Sequence, residues 1–412
     1  MTALGFGEQI LQWADQLAGH SDQADALTVA YLTRAHQTAA AEIAGWMIEA
    51  GLQVEIDALG SVVGRYPAAD HEAKTLLTGS HFDTVRDAGK YDGRLGILLP
   101  IAVVRRLHEH GIRLPYHVEI VAFAEEEGLR FATSFLASSA LAGQFDFRWL
   151  DAVDDDGITL RDALRTAGLP GTPESIRALA RDPRRLAGFV EVHIEQGPVL
   201  EQRGLPLGVV TSIAGGVRLL ATVLGTASHA GTTPMTMRRD ALAAAAEMAL
   251  AIERRCSQAP TLVGTVGMMQ VPNGSANVVA GRCDFSIDIR AGDDATRDAA
   301  VADVLRACEE IAARRGVRLQ LAPTMTVPCA PCAPKLMDLL GECIERAGVP
   351  QVRLPSGAGH DAMMIGRITD AAMLFVRCGN GGISHSPRET VSAGDVELAA
   401  QVFLDFLRRF RP

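Results

Sequence analysis

Thr75-Leu76-Leu77-Thr78-Gly79-Ser80-His81-Phe82-Asp83 leads into Asp92-Gly93-Arg94-Leu95-Gly96, and Tyr116-His117-Val118-Glu119-Ile120-Val121-Ala122-Phe123-Ala124 runs into Glu125-Glu126-Glu127. Residues 75–78 read as a short buried strand. Residues 93–111 have helical period and a C-terminal glycine, and 116–124 alternate like a second strand. Strand, helix, strand in this order implies a parallel sheet covered by helices. Ligands gather at the carboxyl ends of the strands in such sheets. The turn from Ser80 to Gly96 holds a histidine and three aspartates at that place, where a metal site belongs. Glu126 and Glu127 lie at a strand end too, and so does His193, after a strand expected over 188–192.

On the N-terminal side, residues 26–51 repeat at helical spacing, and 54–66 read as a strand pair turning near Gly60. On the C-terminal side the character shifts around 207–213. A strand (217–224), an Ala-rich helix (238–256), two strands (262–271 and 280–289), a helix (296–316) and a strand (317–322) follow. This β-α-β-β-α-β order is that of a ferredoxin-like sandwich, which can fold alone. Residues 323–334 read as the return linker, 336–348 as a helix, 371–376 as a strand and 393–410 as an amphipathic helix. The expected fold is α/β. A mixed, largely parallel sheet flanked by helices is formed by residues 1–212 and 326–412, and an α+β domain is inserted over 213–325.

At 412 residues two domains are expected. The 21% charged residues and 48% hydrophobic residues are those of a globular protein. A formal net charge of -10, with no Lys/Arg cluster, argues against a nucleic-acid partner. Residues 95–104, the longest apolar run, are about half the length of a membrane span, so no membrane partner is expected. The N-terminus has neither a basic region nor a continuous apolar stretch, so no secretory signal is expected and the location is read as cytoplasmic. Seven cysteines resemble no disulfide framework. Cys329-Ala330-Pro331-Cys332 lacks the second pair that a zinc site needs.

Each candidate has a plain reading when taken singly. His81 can cap a strand end, and the three glutamates can form a solvated acidic turn. His193 can be a hydrogen-bonded core histidine and His385 a surface one. Two features point the other way. A metal-bound imidazole donates its second N–H to a carboxylate or carbonyl, which the spacing His81-x-Asp83 offers. The glutamates continue into apolar sequence, where adjacent carboxylates need cations.

Taken together the motifs resemble a known family. Ser80-His81-x-Asp83-Thr84, Asp92-Gly93, Glu126-Glu127-Gly128-x-Arg130-Phe131, His193-Ile194-Glu195-Gln196-Gly197-Pro198, Ser228-His229-Ala230-Gly231, Ser356-Gly357-Ala358-Gly359-His360-Asp361 and Ile383-Ser384-His385 stand in the order seen in the aminoacylase and carboxypeptidase-like di-metal amidohydrolases. They are most similar to the branch containing N-carbamoyl-L-amino acid hydrolases, β-ureidopropionases and allantoate amidohydrolases. The resemblance spans essentially the whole chain.

It implies a di-metal exopeptidase-like catalytic domain with an inserted ferredoxin-like lid and dimerisation domain. It makes Asp92 the carboxylate bridging two divalent ions (Zn, Mn or Co), with His81 and His193 on one and Glu127 and His385 on the other. Asp83 becomes the brace of His81, Glu126 the general base, and His229 the lid histidine that steadies the oxyanion. Gln196, Asn277, Arg290, Gly359 and His360 become substrate-binding residues, Arg290 taking a carboxylate. The implied partner is a small ureido-carboxylate, allantoate foremost and an N-carbamoyl amino acid otherwise, and the implied assembly is a homodimer. Two departures stand out: Ala280, where the family commonly has proline, and the cysteine of Arg377-Cys378-Gly379-Asn380-Gly381-Gly382.

Overall fold

The computed structural model describes residues 5–412; residues 1–4, part of the segment read above for a leader, lie outside them. The chain divides into two compact units. The first contains the chain up to Thr211, Cys332–Leu354 and His360–Pro412, and the second contains Ser212–Pro331 and Pro355–Gly359.

The first unit is built on a mixed sheet. Its centre is parallel, in the order His117–Phe123, Thr75–His81, Leu186–Ile194, Ala371–Val376. Antiparallel strands flank it: Val62–Tyr66 and Gln53–Ile56 on one side, Leu207–Ile213 on the other. Thr75–His81 and His117–Phe123 are buried at every position. Burial on both faces is expected at the centre of a parallel sheet, since helices cover both faces of such a sheet. The helix Leu95–Glu109 is buried along nearly its whole length and packs on this sheet. Ala393–Arg409 packs beside it and against Phe6–Ala18 and Pro334–Arg346.

In the second unit the strands Leu262–Thr265 and Met269–Gln270, then Arg282–Ala291, Gly215–Leu224 and Arg318–Val327, lie side by side, every neighbour antiparallel. The helices Ala241–Cys256 and Asp294–Arg315 pack on it. Cys283, Phe285, Ile287 and Ile289 join their core, and the alternate residues Asp284, Ser286, Asp288 and Arg290 are only partly buried. This is the ferredoxin-like topology.

Several boundaries differ from the sequence reading. His193 does not follow its strand but lies inside it, because pairing with Ala371–Val376 continues to Ile194. The helix expected from residue 26 starts at Arg34, where the Thr33 hydroxyl caps the His36 N–H. The expected strand 262–271 is two pieces, interrupted where the Ser286 hydroxyl bonds the Met268 N–H in place of a backbone carbonyl. Residues 323–327 are not linker: the strand runs on to Val327 with a register shift at Pro323, which an edge strand tolerates. Residues 207–213, read as a change of character, form a strand. Among the described residues no helix is long and apolar enough to cross a membrane.

Candidate metal centre

Two adjacent parallel strands place the first two imidazoles. His81 closes Thr75–His81, His193 lies one residue before the end of Leu186–Ile194, and their ring centres are 5.9 Å apart. Both tautomers follow from the surrounding acceptors. His81 Nδ1 faces the Asp83 carbonyl at 3.1 Å and the Asp83 carboxylate at 3.4 Å. His193 Nδ1 faces the Ile194 carbonyl at 2.9 Å. These acceptors call for the proton on Nδ1 in each ring and turn both Nε2 atoms toward the site, where His193 Nε2 accepts the Gly93 N–H at 3.2 Å.

Both Nε2 atoms point at Asp92. Its Oδ1 is 3.6 Å from His81 Nε2 and 3.4 Å from His193 Nε2, and it is buried with no hydrogen-bond partner. On the other side, Asp92 Oδ2 is 3.2 Å from His385 Nε2, which is 3.5 Å from Glu127 Oε1. Two ligand atoms about 2.1 Å from one tetrahedral ion lie roughly 3.4 Å apart. These spacings, long for hydrogen bonds, fit donors around a cation, and the imidazole and carboxylate mixture fits a divalent one. His81, Asp92 and His193 form one triad of candidate donors and Asp92, Glu127 and His385 another, each with its donor atoms within 4.8 Å of one another. The first is buried, while the second opens to solvent at His385, whose side chain is 49% exposed.

The loop backbone is specialised to present these groups. Gly93 has φ +64°, and a Cβ there would lie 2.5 Å from His81 Nε2. Gln196 and His385 are non-glycine residues at φ +55° and +53°. Such a backbone costs on the order of 1 kcal/mol each and is kept where surroundings enforce it. Both aim at Asp92 Oδ2, Gln196 through Nε2 at 2.8 Å.

Glu126 stands beside the triads, with His81, Glu126 and Glu127 also placed to share a cation. Burial, reinforced by Glu127 and Asp361 and opposed by His81, holds its carboxyl well above the ordinary range. Burial lifts Glu127 to about 7, against the pull of His81. Burial would lift Asp92 as well, but the imidazoles of His385, His81 and His193 around it hold it well below the usual value. The Asp92 contact raises His385 to about 9. Burial lowers His193 to about 4. His360 is buried against His193, ring centres 4.5 Å apart.

His229, Asn277, Arg290 and Gly359 belong to the second unit. Ser228–His229 pairs with Val278–Val279, and the Ala230 N–H donates to the Asn277 carbonyl at 2.9 Å, which puts those two residues side by side. Arg290 borders a cavity of about 580 Å³ with Arg218, Leu220, Val263, Ser286 and Asp288. Its Nε and Nη2 bond Asp288 at 3.0 and 3.2 Å, and its Nη1 bonds the Gly357 carbonyl at 2.9 Å. The Cys378 thiol is buried and donates to the Ile383 carbonyl at 3.2 Å, folding the loop before His385 onto itself.

Sequence reasoning missed the carboxylates that brace the site. Glu191 accepts from the Ser80 hydroxyl at 2.7 Å and the Ala362 N–H at 3.0 Å. Glu389 accepts from the Asp92 N–H at 3.1 Å. Glu191 stood at a buried position of an alternating strand, and Glu389 stood four residues after His385; neither has a spacing rule of its own.

The family model for peptidase family M20/M25/M40 matches residues 77–409. The chain is 40% identical to allantoate deiminase 1 of Glycine max over 95% of this chain and 87% of that protein. It is 39% identical to an N-carbamoyl-L-amino acid amidohydrolase of Geobacillus stearothermophilus over 87% of each. The crystal structure of a hydantoinase/carbamoylase family amidase from Burkholderia multivorans superposes with a TM-score of 0.90 at 33% identity, covering 97% of both chains. With the donor clusters in place and this likeness along nearly its whole length, the chain belongs to peptidase family M20/M25/M40, a family of metal-dependent hydrolases.

Proposed function

We propose that the chain is an amidohydrolase that cleaves the ureido C–N bond of a small carboxylate with the help of two divalent cations. Allantoate is the proposed substrate, with water giving ureidoglycine, ammonia and carbon dioxide. The observation that carries the reading is Asp92: one carboxylate presents an oxygen to each of two donor sets, the arrangement that holds two cations side by side.

His81, Asp92 and His193 would hold one ion, and Asp92, Glu127 and His385 the other. Bound ions of this class, whether Zn, Mn or Co, supply Lewis acidity and bring the pKa of water toward neutrality. Glu126 is the general base: a carboxylate whose affinity for protons is raised by burial accepts one from the attacking water and passes it to the leaving nitrogen. Asp83 orients His81 and pins the backbone of Glu126 and Glu127. Arg290 is assigned to the substrate carboxylate, assisted by Asn277, with Gln196, Gly359 and His360 orienting the substrate and His229 steadying the oxyanion. A homodimer is part of the same proposal and is read directly by light scattering.

The second reading is an N-carbamoyl-L-amino acid hydrolase or β-ureidopropionase, favoured by the nearly equal identity to the Geobacillus enzyme. Ammonia release from allantoate by metal-stripped protein resupplied with Mn²⁺, run beside N-carbamoyl amino acids, separates the two. Metal-dependent release from allantoate alone is expected. Turnover of only the carbamoyl amino acids would replace the substrate, and release without added metal would defeat the metal reading.

A further inference from the structure

We propose that Glu389 is a positioning residue for the metal centre, a carboxylate that clamps the Asp92 loop to the His385 loop and so sets the spacing of the second donor triad. Its Oε1 accepts two consecutive backbone N–H groups, from Tyr91 at 2.9 Å and Asp92 at 3.1 Å. Its Oε2 accepts the Ser384 hydroxyl at 2.8 Å. The same hydroxyl is 2.8 Å from Asp92 Oδ2. One carboxylate thus reaches the backbone of one ligand and, through the residue preceding His385, the loop of another, across a separation of 297 residues.

The clamp is built, not incidental. Glu389 is 3% exposed. The chain passes so close to it at Gly89 that a Cβ there would lie 2.4 Å from the Glu389 carboxyl. Ser384 carries one hydroxyl hydrogen and faces two carboxylates, so it bonds one at a time. With Asp92 engaged by a cation the Ser384 hydrogen would be left to Glu389, whose anchor on the Asp92 backbone does not depend on that hydrogen. Outer partners that orient ligands in this way are worth about 10- to 100-fold in metal affinity.

The inference rests on the metal reading above, and its test separates the two. Mn²⁺ alone is titrated calorimetrically into metal-stripped full-length protein, with the melting temperature of each metal-free variant recorded beside it. Glu389→Ala is expected to weaken Mn²⁺ binding about tenfold or more. Glu389→Gln keeps an oxygen for the two N–H groups and an amide for Ser384, and is expected to recover most of the loss. Wild-type affinity in Glu389→Ala, or a Gln variant as weak as Ala, would overturn the clamp. Ser384→Ala covers the case in which Glu389→Ala does not fold: weaker Mn²⁺ binding at an unchanged melting temperature supports the clamp, and unchanged binding overturns it. Failure of the unaltered protein to bind Mn²⁺ would instead defeat the metal reading.

Discussion

Asp83 accepts the backbone N–H of Glu126 on Oδ1 at 3.1 Å, so the brace of the His81 ring also fixes the proposed base. Its Oδ2 takes the Glu127 N–H at 3.1 Å, and its Oδ1 lies 3.4 Å from His81 Nδ1. One carboxylate therefore orients three groups of the site. Asp83→Ala should lower Mn²⁺ affinity or turnover by about 10- to 100-fold, measured by chelator competition and steady-state kinetics. Wild-type values in both would remove the bracing role.

Glu126→Gln keeps the shape of the side chain and removes the proton acceptor. It should retain bound metal and lose about 10²- to 10⁴-fold in kcat. Metal content by elemental analysis beside the rate decides the matter. Near-normal turnover would take the base role from Glu126, and lost metal would make it a ligand.

Gly93→Ala meets two obstacles at once. The backbone there is left-handed, which costs an L-residue roughly 1–2 kcal/mol. The added methyl would lie 2.5 Å from His81 Nε2, the atom that faces Asp92. Reduced metal stoichiometry and a lower melting temperature are expected. Full stoichiometry would mean that the loop can move away without disturbing His81.

Arg290→Lys replaces a fork held by Asp288 with a single ammonium. Loss of one charged hydrogen bond, about 1.5–3 kcal/mol, corresponds to tenfold or more in kcat/KM, appearing mainly as a higher KM for a carboxylate substrate. An unchanged KM would exclude Arg290 as the carboxylate receptor.

His36 gives a pH signature apart from catalysis. It is buried, donates to the Ala124 carbonyl at 2.7 Å, and burial lowers its pKa from 6.5 to about 4. Because the unfolded chain takes up this proton first, its contribution is complete above about pH 6.5 and is lost as the pH falls toward 4, on the order of 3 kcal/mol. All three tryptophans, Trp13, Trp46 and Trp149, lie in the first unit, so their fluorescence during urea unfolding reports on it. His36→Gln should flatten the loss of stability between pH 6.5 and 4. Superimposable profiles would assign the acid sensitivity to other groups.

Much of the architecture was legible because the physics was local. The strand-helix-strand order from Thr75 to Phe123 marks the parallel centre of a sheet, and the alternation from Cys283 to Ile289 marks a sheet covered on one side. The register shift at Pro323 and the strand at 207–213 were not legible, since each depends on which neighbour the strand finds.

By itself, the order of His81, Asp92, Glu126, Glu127, His193 and His385 marked the candidate side chains and placed His81, Glu126 and Glu127 at strand ends, because the strand periods around them are local. The tertiary structure alone decided how they meet: that Asp92 turns one oxygen to each donor set, that His193 lies within its strand, and that Glu389 holds the Asp92 backbone. Those contacts join residues up to 297 apart. They exist only once Leu186–Ile194 lies between Thr75–His81 and Ala371–Val376 in the sheet, an arrangement set by the packing of the whole unit and not by any local pattern.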